Sequence, residues 1–126
     1  MSRSPPPVLR ILCLEDNPLI AFHVEQMIED LGHLPVATLD SFTDLQALPD
    51  VQADCALIDI DLADGCTGPE AAQWLRQRGI PGIFVTGQKE IAEANAELVT
   101  GYLIKPIAME GLKSVLDEVV AKPRST

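Results

Sequence analysis

The run Cys55-Ala56-Leu57-Ile58-Asp59 is a short, uninterrupted apolar segment that ends in a carboxylate. Other apolar runs in the chain end in the same way, with polar side chains directly behind them: residues 8–14 before Glu15 and Asp16, residues 82–85 before Thr86, and residues 102–104 before Lys105. Strands of a parallel sheet that is covered on both faces have this continuous apolar pattern. Because ligands bind at the carboxyl ends of such strands, these polar side chains are predicted to meet at one edge of a sheet.

Helical patterns separate these runs. Asn17 followed by Pro18 favours a helix start, since the asparagine side chain can cap the first turn and proline suits its first position. Apolar residues then recur with helical spacing up to residue 31, and Gly32 indicates the helix end. The remaining elements are predicted as strands at residues 34–39 and 54–59, a short helix from Ser41 that Pro49 closes, and helices at residues 69–78, 89–99 and 108–121. Strands that alternate with helices in this way predict an α/β fold with a parallel sheet.

Length and charge restrict the class of protein. A chain of 126 residues suits one domain, predicted over residues 8–121 with a lead at 1–7 and a tail at 122–126. The net charge of −10 argues against direct binding of nucleic acid, which requires a basic surface. No apolar run is long enough to cross a membrane, and the three cysteines have neither disulfide nor metal-ligand spacing. We therefore expect a cytoplasmic protein with reduced thiols and no membrane contact.

The side chains predicted to meet at the sheet edge suit phosphoryl transfer. Clustered carboxylates from Glu15, Asp16 and Asp59 repel one another, and hard oxygen ligands of this kind favour Mg²⁺. Asp59 could act as a nucleophile that forms an aspartyl phosphate. Lys105 offers a cation and Thr86 a hydroxyl for the phosphoryl oxygens. Each residue taken alone is better explained as a turn, strand or surface residue, but the whole set at successive strand ends favours a site.

In this order and spacing, the motifs resemble those of response-regulator receiver domains (CheY-like proteins) of two-component signalling: Leu14-Glu15-Asp16-Asn17, Leu57-Ile58-Asp59, Phe84-Val85-Thr86-Gly87 and Tyr102-Leu103-Ile104-Lys105-Pro106. The resemblance covers about residues 9–120. It implies a flavodoxin-like (βα)5 three-layer sandwich, with a parallel five-stranded sheet in the order 2-1-3-4-5. It also implies a stand-alone regulatory phosphoprotein rather than an enzyme.

The resemblance assigns a role to each site residue. Asp59 resembles the phosphoacceptor, Glu15 and Asp16 the metal-binding acidic pair, and Asp61 the position whose backbone carbonyl completes the Mg²⁺ site. The phosphate-binding and switch positions are matched by the following residues: Lys105 as the cation, Thr86 as the switch hydroxyl and Tyr102 as the aromatic switch. The Lys105–Pro106 peptide is expected to be cis, which proline permits.

The implied partners are proteins. A sensor histidine kinase or a phosphotransfer protein would donate the phosphoryl group to Asp59, and an unidentified protein target would receive the signal. The resemblance also allows a homodimer. The phosphoryl group would draw Thr86 inward, permit Tyr102 to move, and change the surface around the fourth helix, fifth strand and fifth helix.

The chain departs from the family pattern at two places, which leave alternatives open. Ala63 stands where the family often has proline, and residues 64–68 form a loop that is one residue longer than common. Gly87 and the weak helix after it resemble a stand-alone subgroup with an irregular fourth helix. One alternative is therefore a degenerate receiver that binds partners without phosphate. Another is an aspartate-nucleophile phosphatase, since Asp59-Ile60-Asp61 also resembles the Asp-x-Asp motif of haloacid-dehalogenase-like enzymes.

Overall fold

A parallel sheet forms the centre of the molecule in the computed structural model, which describes residues 7–121. The predicted lead, except Pro7, and the predicted tail 122–126 lie outside the described residues. Within the described chain the strand order is β2-β1-β3-β4-β5, as predicted. The strands are β1 (Arg10–Leu14), β2 (Leu34–Leu39), β3 (Cys55–Ile58), β4 (Gly82–Thr86) and β5 (Gly101–Ile104). The helices are α1 (Pro18–Asp30), α2 (Phe42–Gln46), α3 (Gly68–Arg76), α4 (Lys89–Ala94) and α5 (Met109–Ala121).

Helices cover both faces of the sheet, because successive strand residues point to opposite sides. One apolar core joins alternate residues of β1, β3 and β4, such as Leu14 and Phe84, to α2, α3 and α4. The other joins the intervening residues, such as Leu57 and Val85, to α1 and α5. Cys13 lies in this second core, where burial raises the pKa of its thiol to about 12. The predicted three-layer sandwich is confirmed.

The predicted start and end of the first helix are confirmed. The Asn17 side chain accepts hydrogen bonds from the amides of Leu19, at 3.0 Å, and Ile20, at 3.3 Å, with Pro18 as the first helical residue. Gly32 follows the helix with a φ of 85°, a conformation that glycine adopts without strain. No helix within residues 7–121 combines the length and the apolar character that a membrane crossing needs.

The helix predicted over residues 89–99 is wrong in its second half. The α-helix ends at Ala94, and a separate 3₁₀ helix follows over Ala96–Leu98. Asn95, a weak helix former, stands at the break and donates from its side chain to the Ile91 carbonyl at 2.9 Å. The Thr100 amide then donates to the Gly82 carbonyl at 2.9 Å, which returns the chain to the sheet.

Other predicted boundaries differ from the structure by one or two residues. The third helix spans Gly68–Arg76 rather than 69–78, the third strand Cys55–Ile58 rather than 54–59, and the last helix begins at Met109 rather than residue 108. Such shifts are common at element ends, where hydrogen bonding frays.

Candidate functional site

Residues from three separated parts of the chain meet at the carboxyl edge of the sheet. Glu15 follows β1, Asp59 follows β3 and Lys105 follows β5. The Lys105 ammonium donates to Asp59 Oδ2 at 2.8 Å and to Glu15 Oε1 at 2.9 Å. Both carboxylate residues are 7% exposed. The predicted meeting of strand-end residues is therefore observed for these side chains, with the ammonium bridging two buried carboxylates.

Asp16 extends this pair into a cluster of three carboxylates. Each of Glu15, Asp16 and Asp59 offers an oxygen, and these oxygens lie within 4.8 Å of one another. Burial raises the pKa of Glu15 above its ordinary value, although hydrogen bonds from Lys105 and the Asn17 amide oppose that rise. Converging hard oxygen donors, with Asp16 exposed at the surface, fit a hydrated Mg²⁺ ion better than a softer metal.

Lys105 supplies fixed positive charge to the cluster. Burial alone would lower the pKa of its ammonium, but the hydrogen bonds to Asp59 and Glu15 outweigh it and raise the pKa above the ordinary value. The side chain is therefore charged at neutral pH. The Lys105–Pro106 peptide is cis, as predicted.

Thr86 ends β4 and Tyr102 lies within β5, and neither residue takes part in the hydrogen bonds of the Lys105 cluster. Thr86 closes β4 and is 1% exposed, and its hydroxyl oxygen accepts a hydrogen bond from the Gln88 amide at 3.0 Å. Tyr102 lies on β5 opposite Phe84 and packs, half-buried, against the core on the α3 side of the sheet. The switch roles of Thr86 and Tyr102 stay predictions.

The Asp61 carboxylate contacts the loop after β4. The side-chain amide of Gln88 donates to Asp61 Oδ2, which joins the loop after β3 to the loop after β4. Among the described residues, the acidic cluster comprises Glu15, Asp16 and Asp59 and does not include the Asp61 side chain. Its predicted contribution to a metal site, through the backbone carbonyl, stays a prediction.

Gly68 is a site residue that the sequence analysis missed. A Cβ atom at this position would lie 2.3 Å from the Asp59 carbonyl oxygen and 2.5 Å from the Ile60 Cα. The Gly68 amide also donates to the Ile60 carbonyl at 2.9 Å. Helix α3 thus begins directly against the backbone of Asp59, and only glycine fits there. The Gly68-Pro69 pair at a predicted helix start was the available signal.

The chain is similar in sequence to a receiver-domain family, to a regulator and to a sensor histidine kinase. Residues 11–117 match the sequence profile of the response regulator receiver domain. The chain is 31% identical over 114 residues to the phyllosphere-induced regulator PhyR of Methylorubrum extorquens, covering 87% of this chain and 43% of PhyR. It is 30% identical over 124 residues to the sensor histidine kinase GacS of Pseudomonas protegens, covering 91% of this chain and 13% of GacS. The chain therefore spans less than half the length of either protein.

A solved structure of a receiver domain is also similar to this chain. The solution structure of the PhyR response regulator REC domain from Erythrobacter litoralis superposes with a TM-score of 0.81 at 25% sequence identity. The superposition covers 94% of this chain and 97% of that domain.

Proposed function

This chain belongs to the response regulator receiver domain family, and from that premise we propose that it is a phosphorylation switch with Asp59 as acceptor. The observation that carries the proposal is the Lys105 ammonium, which bridges Asp59 and Glu15 beside the Asp16 carboxylate. A buried carboxylate held between a fixed cation and an acidic cluster has the parts that phosphoryl transfer needs. The family is regulatory, so we propose signalling through partner binding rather than turnover of a substrate.

The transfer step uses Asp59 as the nucleophile. One carboxylate oxygen bonds to the phosphorus of a phosphohistidine on the donor, and the bond between phosphorus and imidazole nitrogen breaks. The electron pair of that bond stays on the imidazole, which takes up a proton from solvent as it leaves. Lys105, whose ammonium lies 2.8 Å from Asp59 Oδ2, would pair with the new phosphoryl oxygens.

Receiver domains bind Mg²⁺ at an acidic site, and the donor set fits that ion here. We propose that the carboxylates of Glu15, Asp16 and Asp59 and the backbone carbonyl of Asp61 hold it. When bound, Mg²⁺ neutralises charge on the transferring phosphoryl group. The same charge would reduce the repulsion among these carboxylates, which the Lys105 ammonium counters in the structure.

The signal would leave the site through Thr86 and Tyr102. The phosphoryl group adds negative charge and hydrogen-bond acceptors at Asp59. The Thr86 hydroxyl can donate to one of those acceptors. It would then give up the hydrogen bond that it accepts from the Gln88 amide. Tyr102, on the neighbouring strand, then fills the space on that side of the sheet and changes the surface of α4, β5 and α5.

We propose that the phosphoryl donor is a sensor histidine kinase or a phosphotransfer protein in the cytoplasm. Similarity to the sensor histidine kinase GacS and to the regulator PhyR supports a place in two-component signalling. The receiving partner would be a protein that recognises the altered surface.

The test is phosphorylation of the purified chain by acetyl phosphate with Mg²⁺, followed by intact mass. We expect one phosphoryl group on the parent and on the control variant Asp117→Asn. Asp117 is an exposed residue of α5. We expect none on Asp59→Asn and none when EDTA removes the metal. No phosphoryl group on the parent would favour the degenerate receiver. Sustained hydrolysis of a phosphomonoester would instead favour the phosphatase.

A further inference from the structure

The loop over residues 61–67, here called the acceptor loop, leads from Asp59 into α3 and has a fixed path. Leu62 and Gly65 exchange backbone hydrogen bonds of 2.8 and 3.0 Å, and Gly65 has a φ of 108°, which favours glycine. The Ala63 amide donates to the Asp40 carbonyl, behind β2, at 2.7 Å. The loop is therefore a tight turn attached to the connection between β2 and α2.

Asp64, at the tip of this turn, makes the densest set of contacts in the loop. Its Oδ1 accepts from the Thr67 hydroxyl at 2.6 Å and from the Phe42 amide at 3.2 Å. Its Oδ2 accepts from both the amide and the hydroxyl of Thr43, each at 3.0 Å. These bonds, that from Thr67 above all, hold the pKa of Asp64 well below its ordinary range. A single carboxylate thus accepts four hydrogen bonds from two separate parts of the chain.

The groups that donate to Asp64 lie at the starts of two helices. The first amides of a helix have no partner within the helix, so an outside acceptor stabilises them. In α2 the amides of Phe42 and Thr43 bond to Asp64, and the Asp44 amide bonds to the Ser41 hydroxyl at 3.0 Å. Thr67, which precedes α3, turns its hydroxyl to Asp64 and does not cap its own helix. Asp64 therefore ties the starts of α2 and α3 to each other through the acceptor loop.

Asp61 lies between two fixed points on this path. On one side, the Ile60 carbonyl accepts the Gly68 amide, and Ile60 is fully buried. On the other side, Asp64 is held by α2 and Thr67. The Asp61 backbone therefore lies between the Ile60–Gly68 contact and a turn that is held both by the Ala63–Asp40 bond and by the Asp64 contacts.

We infer that Asp64 is a positioning residue for the phosphorylation site: it fixes the Asp61 backbone carbonyl by clamping the acceptor loop between the starts of α2 and α3. The inference rests on the proposed function, in which that carbonyl contributes to the Mg²⁺ site. Groups that orient metal ligands typically change metal affinity by about 10- to 100-fold when they are removed. The additional loop residue noted in the sequence would then serve to bring this carboxylate to α2.

The experiment measures Mg²⁺ affinity by calorimetric titration in Asp64→Ala, Asp64→Asn and Thr67→Val. We expect the dissociation constant to rise about tenfold in Asp64→Ala. The increase should be smaller in Asp64→Asn, which keeps one acceptor oxygen, and in Thr67→Val, which removes one donor. Asp117→Ala, an exposed carboxylate on α5, is the matched control and should bind Mg²⁺ like the parent. Hydrogen exchange without Mg²⁺ should be faster at the amides of Leu62 and Ala63 in Asp64→Ala than in the parent.

An unchanged Mg²⁺ affinity in Asp64→Ala, with only a lower thermal stability, would show a helix cap and overturn the inference. If Asp64→Ala does not fold, the Mg²⁺ affinity of Thr67→Val tests the inference instead. This variant should fold, because it leaves the bonds from Asp64 to α2 in place. Failure of the parent to accept a phosphoryl group at Asp59 would overturn the proposed function. The affinities across the variant series would still test the clamp, so the two failures are distinguishable.

Discussion

The acceptor loop after β3 and the segment after β4 differ in how firmly they are held. The acceptor loop is fixed by the Asp64 carboxylate and leads into α3, where Ala71, Ala72 and Leu75 are fully buried. The segment after Thr86 leads into α4, a shorter helix in which Ala92 alone is buried. Elements with few buried contacts open locally at low free-energy cost. The difference indicates that Asp59 is followed by a firmly held loop and helix. The segment after Thr86, which is proposed to respond to phosphorylation, has fewer buried contacts.

Gly68, at the start of α3, and Gly87, directly after β4, should show the largest contrast. Gly68→Ala places a Cβ against the Asp59 and Ile60 backbone, and we expect a loss of about 3 kcal/mol of unfolding free energy, as for severe overpacking. Gly87→Ala is the matched control, since nothing lies within 4 Å of its Cβ position, and should change stability little. Urea denaturation measures both. Equal losses would mean that the loops do not differ in packing.

Truncation of apolar side chains in the two helices should give the next largest effect. Leu75 on α3 is fully buried, so Leu75→Ala should cost about 3 kcal/mol. Ile91 on α4 is only partly buried against the same core, so Ile91→Ala should cost about 1 kcal/mol. Thermal and urea unfolding give both values. A cost at Ile91 as large as that at Leu75 would contradict the weak attachment of α4.

The hydrogen bond between the loops should contribute less. Gln88→Ala removes the donor to Asp61, and because this pair is exposed we expect a loss of about 0.5 kcal/mol. The Asp61 amide should shift in NMR spectra while the amides of α3 stay in place. Gln26→Ala, which removes an exposed bond to Glu29 on α1, is the control and should leave the Asp61 amide unchanged. Spectral changes throughout α3 would show that the acceptor side depends on Gln88.

The smallest effect should appear with pH. The pKa of Asp64 is lower in the folded protein than in the unfolded chain, where it is about 3.9. Its contribution to stability is therefore complete above about pH 4 and decreases as the pH falls below that value. In Asp64→Asn this part of the acid dependence should be absent. Urea midpoints at pH 3 and pH 6 would test it, and parallel curves for parent and variant would contradict it.

The sheet and the strand-end side chains could be predicted because their signals are local. Continuous apolar runs mark buried parallel strands, and the residue behind each run must lie at the sheet edge. Glu15, Asp59 and Lys105 were therefore predictable as neighbours before any contact was known. The cap at Asn17 and the turn at Gly32 depend on similarly local chemistry.

The parts that could not be predicted depend on contacts between distant segments. Asp64 and Gly68 look like ordinary loop residues until α2 and the Asp59 backbone are placed beside them. The break at Asn95 has the same origin. The Ala- and Glu-rich composition favours helix throughout residues 89–99, but the pairing of Thr100 with Gly82 redirects the chain.

The burial of Cys13 and Cys55 in the sheet provides a practical means of observing the acceptor loop. Both thiols are shielded, whereas Cys66, within that loop, is exposed. A thiol-selective maleimide dye should therefore label the unmodified protein at Cys66. The fluorophore would lie between Asp61 and α3, so its emission could follow loop motion during metal binding without any engineered cysteine.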